Sequence, residues 1–274
     1  MIIETTVLIV VTVAIFVVVN FVGVAIPDAI RLPLSIGVAA LPALLWLIFS
    51  YWRERSVQEP RSGLFTTFIV SALVANAIGL PLLSEFVQPD NWLSLQSAVD
   101  RIIGYTITVG ITQEFLKYLV VRYVAWPDHF REREDAVAFA AASAIGYASV
   151  LNVSFVLGTN APLDVVATRI FSTTTVHLAS SVILSYGLAQ LLFSRVSAVL
   201  LPFMLLVAAL VTGVATPIRS GLISAALSVD GAATRPLFGL GFSILAIVVP
   251  LLGMYFLFRV ADQRDKHVKA SSEA

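Results

Sequence analysis

Cysteine is absent from this 274-residue chain, charge is scarce, and histidine occurs only three times. Without thiols there are no disulfides, no cysteine metal ligands and no thiol nucleophile, although the compartment stays open. Seventeen Lys and Arg balance seventeen Asp and Glu, so nothing indicates a nucleic-acid partner or an acidic tail. Charged residues make up 12% of the chain and hydrophobic residues 58%, with a mean hydropathy of +0.93. Soluble domains run nearer to about 45–50% apolar and about 25% charged. A soluble core of this length could not hide so much apolar surface, so the composition specifies an all-α, polytopic membrane protein in contact with the lipid bilayer.

Long hydrophobic runs are what the chain has instead. About 20 apolar residues suffice to cross the hydrocarbon layer, and eight runs qualify: 5–26, 33–51, 64–87, 102–125, 136–158, 170–193, 199–218 and 237–259. The first has no Lys or Arg ahead of it and exceeds a signal-peptide core in length, so it reads as a spanning helix. Pro81 interrupts the third run and Thr216-Pro217 closes the seventh, so both are expected to kink or end early. The pattern predicts one helical membrane domain over 1–260 and a short polar tail at 261–274. An even number of spans puts both termini on one side. That side carries Arg53, Arg55, Arg61, Arg122, Arg131, Arg133, Arg195, Arg259, Arg264, Lys266 and Lys269. Arg31, Arg101, Arg169, Arg219 and Arg235 face the other. The excess predicts cytoplasmic termini. Trp46, Trp52, Trp92 and Trp126 fall near span ends and are expected to be interfacial anchors, and Arg122 is expected to snorkel to the surface.

Within this apolar background the fourth run holds Gln113-Glu114-Phe115-Leu116-Lys117. A charge near the bilayer centre costs roughly 2.5–3.5 kcal/mol on insertion scales, so such residues face a protein interior or a wet cavity. Glu114 and Lys117 are neighbours on one helical face, and Gln113 reaches the same lysine at i+4. The structural reading is a self-neutralising pair bridging helices; the functional reading is a carboxylate kept in the membrane for chemistry. The fifth run repeats small residues at Ala138, Ala142 and Gly146, a face for close helix approach, and carries Asn152 deeper in. The sixth aligns Thr173, His177, Ser181 and Ser185 on one face. There the histidine is a metal ligand, a proton carrier or a hydrogen-bonded strut. At a rise of about 1.5 Å per residue, Asn152 and His177 lie at matching depth, about 9–11 Å below the outer surface, with Glu114 slightly deeper. One shared polar site explains that match better than three separate accidents.

These residues resemble the PrsW family of intramembrane proteases, which is distantly similar to the prenyl-protein (CAAX) processing proteases. The family's Glu-Glu-x-x-Lys motif corresponds to Gln113-Glu114-Phe115-Leu116-Lys117. Its acidic loop and small-residue helix correspond to Glu134-Asp135 and the stretch from Gly146-Tyr147-Ala148 to Asn152. Its arginine eight residues before a histidine corresponds to Arg169 and His177. The resemblance covers about 102–193, the motif-bearing core. Departures are Gln113 for the first glutamate, Leu151 for the glutamate before Asn152, and Thr212-Gly213 at the position of a His-Gly pair.

The resemblance implies hydrolysis of peptide bonds in membrane-protein substrates. Glu114 would act as general base, with Asn152 and His177 orienting water or stabilising the oxyanion, and Gln113 and Lys117 beside them. A divalent metal such as zinc would find Glu114 and His177 as ligands and Asn152 as a poor third, short of the three good ligands a zinc hydrolase needs. Other readings remain open. One is a pseudoprotease that binds membrane segments or partner helices without cleaving them. A second is an ion-coupled transporter using Glu, Lys and His as a relay, and a third is a purely structural membrane protein. Asp135 and Arg169 divide evenly between function and helix-end capping or orientation.

Overall fold

The computed structural model describes residues 2–22, 27–55, 60–93, 96–194 and 196–223, with parts of 241–263. All regular structure among them is helical: α1 Ile2–Asn20, α2 Asp28–Arg55, α3 Leu64–Val74, α4 Pro89–Leu93, α5 Ala98–Tyr105, α6 Ile111–Val124, α7 Arg133–Gly158, α8 Leu163–Phe193 and α9 Leu200–Ile223. Among the described residues five stretches are long and apolar enough to cross a membrane: Asp28–Arg55, Leu64–Leu93, Arg133–Gly158, Leu163–Phe193 and Leu200–Ile218. The chain is an integral membrane protein.

The remaining expected spans differ for separate reasons. Residues 98–124 form one unbroken helical run, α5 and α6 joined by a π-helical turn at Thr106–Gly110. Thr112, Gln113, Glu114 and Lys117 dilute its apolar character. The apolar part of α1, Thr6–Asn20, is shorter than the five, and the run expected at 237–259 lies largely outside the described residues. Pro81 does not end its helix. It sits between two π-helical turns, Ala75–Gly79 and Leu82–Val87, which keep the chain helical around the missing N–H. Pro217 likewise lies inside α9, which continues to Ile223.

α7 and α8 pack against each other at the centre, with α3 and α2 on α7, and α9 and α1 on α8. The small-residue face of α7 does what its spacing predicts. A Cβ on Gly146 would lie 2.2 Å from the Phe68 carbonyl oxygen, so only glycine lets α3 come this close. Beside it, Ser71 bonds the Ser143 carbonyl at 2.7 Å and the Ser143 hydroxyl at 3.0 Å. Trp46 is a correction. It is buried and stacks on Phe68 with ring centroids 5.3 Å apart, whereas Trp52 and Trp92 are exposed. Arg122 does not simply extend to water either: its guanidinium lies 3.8 Å from the centre of the Trp126 ring.

At the loop end joining α2 to α3 and α6 to α7, Arg61 bridges Glu54 and Asp135. Asp135 also accepts the backbone N–H groups of Arg131 at 2.8 Å and Glu132 at 2.9 Å, completing a capping box at the start of α7. Burial by itself works to lower the Arg61 pKa, but hydrogen bonding and attraction from Asp135 and Glu54 outweigh it, and the net direction is upward. These contacts assign Asp135 to holding the loop and the helix end.

A candidate site around Glu114 and Lys117

The π-helical turn at Thr106–Gly110 precedes α6 directly, and α9 is pressed against it. A Cβ on Gly110 would lie 2.3 Å from the Ala209 carbonyl oxygen, and one on Gly213 would lie 2.4 Å from the Thr106 Cα. Backbone therefore meets backbone here. That contact brings Thr212, next to Gly213, onto the first turn of α6, where its hydroxyl donates to Glu114 Oε1 at 2.8 Å.

Glu114 is fully buried and Lys117 is 1% exposed. The Lys117 ammonium donates to Glu114 Oε1 at 2.9 Å, to Ser181 Oγ at 2.9 Å and to Ser180 Oγ at 3.0 Å. The His177 carbonyl stands farther off, at 3.4 Å. An ammonium has three N–H bonds, so the three short contacts account for all of them. The second carboxylate oxygen of Glu114, Oε2, is buried and has no hydrogen-bond partner among the described residues. Buried polar atoms in native proteins are overwhelmingly paired, so Oε2 stands out as an acceptor without a protein partner, as does Asp164 Oδ1 on α8.

Of the residues singled out from the sequence, Glu114 and Lys117 meet directly on α6, and His177 of α8 approaches them through its backbone carbonyl. The His177 imidazole packs on the Tyr147 ring, centroids 5.6 Å apart. Asn152 stands beside this group, donating to Thr174 Oγ1 at 3.2 Å, one turn of α8 from His177. Gln113 is buried nearby, but the ammonium's contacts go to Glu114 and α8 instead of to its amide. Of the expected α8 ladder, Ser181 reaches Lys117, while Ser185 turns back to the Val182 carbonyl at 2.7 Å. Arg169 lies over the Phe155 ring at 5.1 Å, near the start of α8 and away from the pair.

Sequence reasoning missed Thr212, Ser180, Thr174 and Tyr147 as parts of the site. For Thr212 a signal existed, since it occupies the position at which the resemblance expects a histidine. Ser180 adjoins the ladder residue Ser181, but a four-residue spacing rule passes over it.

Fold and centre together define a polytopic helical membrane protein built around a buried carboxylate–ammonium pair. The family model described as PrsW family intramembrane metalloprotease matches residues 59–216, more than half of the chain, and the chain belongs to that family. The match extends beyond 102–193 on both sides and takes in α3 and the Thr212 segment of α9. Comparison with curated proteins and with solved structures gives no match.

The family's description includes a metal, and the residues here do not fit one. A zinc hydrolase centre uses three protein ligands and one open position. Among the described residues no three His, Asp or Glu side chains come together in such a group. Glu114 Oε1 already faces a cation, the Lys117 ammonium. At an effective dielectric of about 20, two unit charges about 4 Å apart repel by about 4 kcal/mol, and a divalent ion doubles that. The other atoms around the ammonium are hydroxyl and carbonyl oxygens, which suit hard cations better than zinc.

Proposed function

We propose that this chain hydrolyses peptide bonds of membrane-protein substrates within the bilayer, with Glu114 as general base. The observation that carries this reading is the asymmetry of the Glu114 carboxylate: Oε1 is held by Lys117 and Thr212, while the buried Oε2 has no partner among the described residues. Oε2 takes a proton from water and the resulting hydroxide attacks the scissile carbonyl carbon. The tetrahedral intermediate then collapses, and the proton passes from Glu114 to the leaving amine. Water and one peptide bond thus give a carboxylic acid and an amine. Lys117 and Thr212 fix the orientation of the base. His177 and Asn152, on the facing helices, are assigned to positioning water and the developing oxyanion, and Gln113 to packing beside the base.

The experiment is incubation of the purified protein, in detergent or liposomes, with peptides containing a transmembrane segment, and mass spectrometry of the products. A positioned base contributes about 10²–10⁴-fold, so Glu114→Gln should reduce cleavage per folded molecule by about that factor. Equal cleavage by the variant would remove Glu114 from the mechanism. A second reading, a pseudoprotease that binds membrane segments without cutting them, is favoured by the tie between Glu114 and Lys117, since an acid closed on a neighbouring ammonium can serve to join helices without doing chemistry. Binding of such segments without cleavage would decide for it.

The proposal includes one membrane domain over 1–260 with eight spans and both termini in the cytoplasm, as the distribution of Lys and Arg supports.

A further inference from the structure

We infer that the Lys117 ammonium is the resident cation of this centre, and that the centre holds no metal ion beside it. The inference rests on the reading of Glu114 as the base of the site, but it concerns composition and stability, so its test does not depend on cleavage.

Three observations carry it. First, the ammonium is enclosed: Lys117 is 1% exposed and surrounded by one carboxylate oxygen, two serine hydroxyls and a carbonyl, at 2.9–3.4 Å. This is an oxygen cage of the kind that holds a cation, and its occupant is covalently part of the chain. Second, the match is numerical as well as spatial, because three N–H bonds meet three short acceptors. With every donor engaged, Lys117 has none left for a substrate carbonyl. That assigns it to a fixed counter-charge and not to proton transfer or covalent chemistry. Third, the pair is electrically closed. Glu114 and Lys117 cancel, and no third His, Asp or Glu among the described residues stands with them to balance a divalent ion.

The cage also explains why its serines lie next to each other in sequence. Adjacent residues on a helix project about 100° apart, so Ser180 and Ser181 grip the ammonium from two sides instead of stacking along one face. Arginine could not replace the lysine, since a planar fork cannot point three donors into a compact cage. Lys117 is thus a positioning residue. It holds one carboxylate oxygen of Glu114 still and leaves the other free.

The test uses the full-length protein in detergent, with metal content measured by mass spectrometry and thermal unfolding followed with and without a strong chelator. Wild type should carry no stoichiometric metal and should unfold at the same temperature in chelator. Lys117→Met leaves Glu114 buried and unpaired, and should lower the melting temperature by roughly 10 °C. Glu114→Gln/Lys117→Met, which removes both charges, should recover most of that loss. Lys117→Arg should behave like Lys117→Met. One equivalent of bound metal in wild type, removed by chelator together with thermal stability, would overturn the inference. So would a Lys117→Met protein as stable as wild type. If Lys117→Met cannot be purified, the double variant and Lys117→Arg decide the matter: a stable double variant with an unstable Lys117→Arg supports the cage, and the reverse order refutes it. Failure of cleavage alone would count against the hydrolase reading and leave the cage standing.

Discussion

Glu114 and Asp135 are both carboxylates almost completely withdrawn from solvent, 0% and 4% exposed, and both face a cation. Their surroundings differ in one respect. Each oxygen of Asp135 is occupied, one by Arg61 and the other by the backbone N–H groups of Arg131 and Glu132. Glu114 has both of its donors, Lys117 and Thr212, on the same oxygen, and the other oxygen has none among the described residues. A saturated carboxylate stabilises a fold and has nothing left with which to take a proton. A half-occupied one is held in position and keeps an oxygen open to a further donor. Burial and ion pairing, the features both share, do not distinguish the two acids; the free oxygen does, although it is not sufficient alone, since Asp164 Oδ1 is also buried without a partner among the described residues.

The largest effect expected from this contrast is in catalysis. Removing the charge from each acid in turn should separate them by cleavage per folded molecule. Glu114→Gln loses about 10²–10⁴-fold, and it also lowers the unfolding temperature because the buried Lys117 ammonium is left without its counter-charge. Asp135→Asn should keep cleavage per folded molecule unchanged. It should lose about 1.5–3 kcal/mol of stability, the usual worth of hydrogen bonds to a charged group, read as a fall on the order of 5–10 °C. If Asp135→Asn instead abolished cleavage in a protein that unfolds normally, the division between the two acids would be wrong.

A smaller effect tests how Glu114 is oriented. Thr212→Val keeps the shape of the side chain and removes the donor to Oε1, leaving Lys117 as its one anchor among the described residues. Cleavage should fall roughly tenfold, about 1.4 kcal/mol in the barrier, while Thr212→Ser stays near wild type. Equal activity of Thr212→Val and wild type would show that Lys117 alone positions the base.

Much of this was legible in the sequence, and the limits have physical causes. Glu114 and Lys117 are three residues apart on one helix, so their meeting is local geometry, and a buried charge pair in an apolar run stands out on cost alone. A face for close helix approach was readable from Ala138, Ala142 and Gly146 because small residues at a four-residue spacing act through the same periodicity, but which helix it meets, α3, was not. Thr212 is 98 residues from Glu114, and its arrival depends on the π-helical turn at Thr106–Gly110 and on Gly110 and Gly213, none of which produces a periodic signal. Trp46 shows the converse limit. Nearness to a span end suggested an interfacial anchor, but the long α2 carries that tryptophan inward onto Phe68. Asn152 and His177 were matched by depth, yet depth along an axis does not give direction around it, so Asn152 ends up bonded to Thr174.

The smallest effect concerns the partner of the saturated acid. Arg61 binds Asp135 through Nε and Glu54 through a terminal nitrogen, a planar fork that lysine cannot reproduce. Its side chain is 15% exposed, as is nearly the case for Glu54 at 16%, so solvent screens part of the attraction. Arg61→Lys should therefore cost less than about 1 kcal/mol, a fall of about 2–4 °C, well below that of Asp135→Asn. The ordering follows from where Asp135 gets its donors: the two backbone N–H groups remain when Arg61 is shortened, whereas neutralising Asp135 weakens all three contacts at once. Unfolding measured for both variants and the double variant checks this. A fall for Arg61→Lys as large as for Asp135→Asn would mean that the guanidinium, and not the helix end, holds the acid. Asp135 would then be another ion pair of the same kind as Glu114, distinguished by its position in the bundle and not by its occupied oxygens.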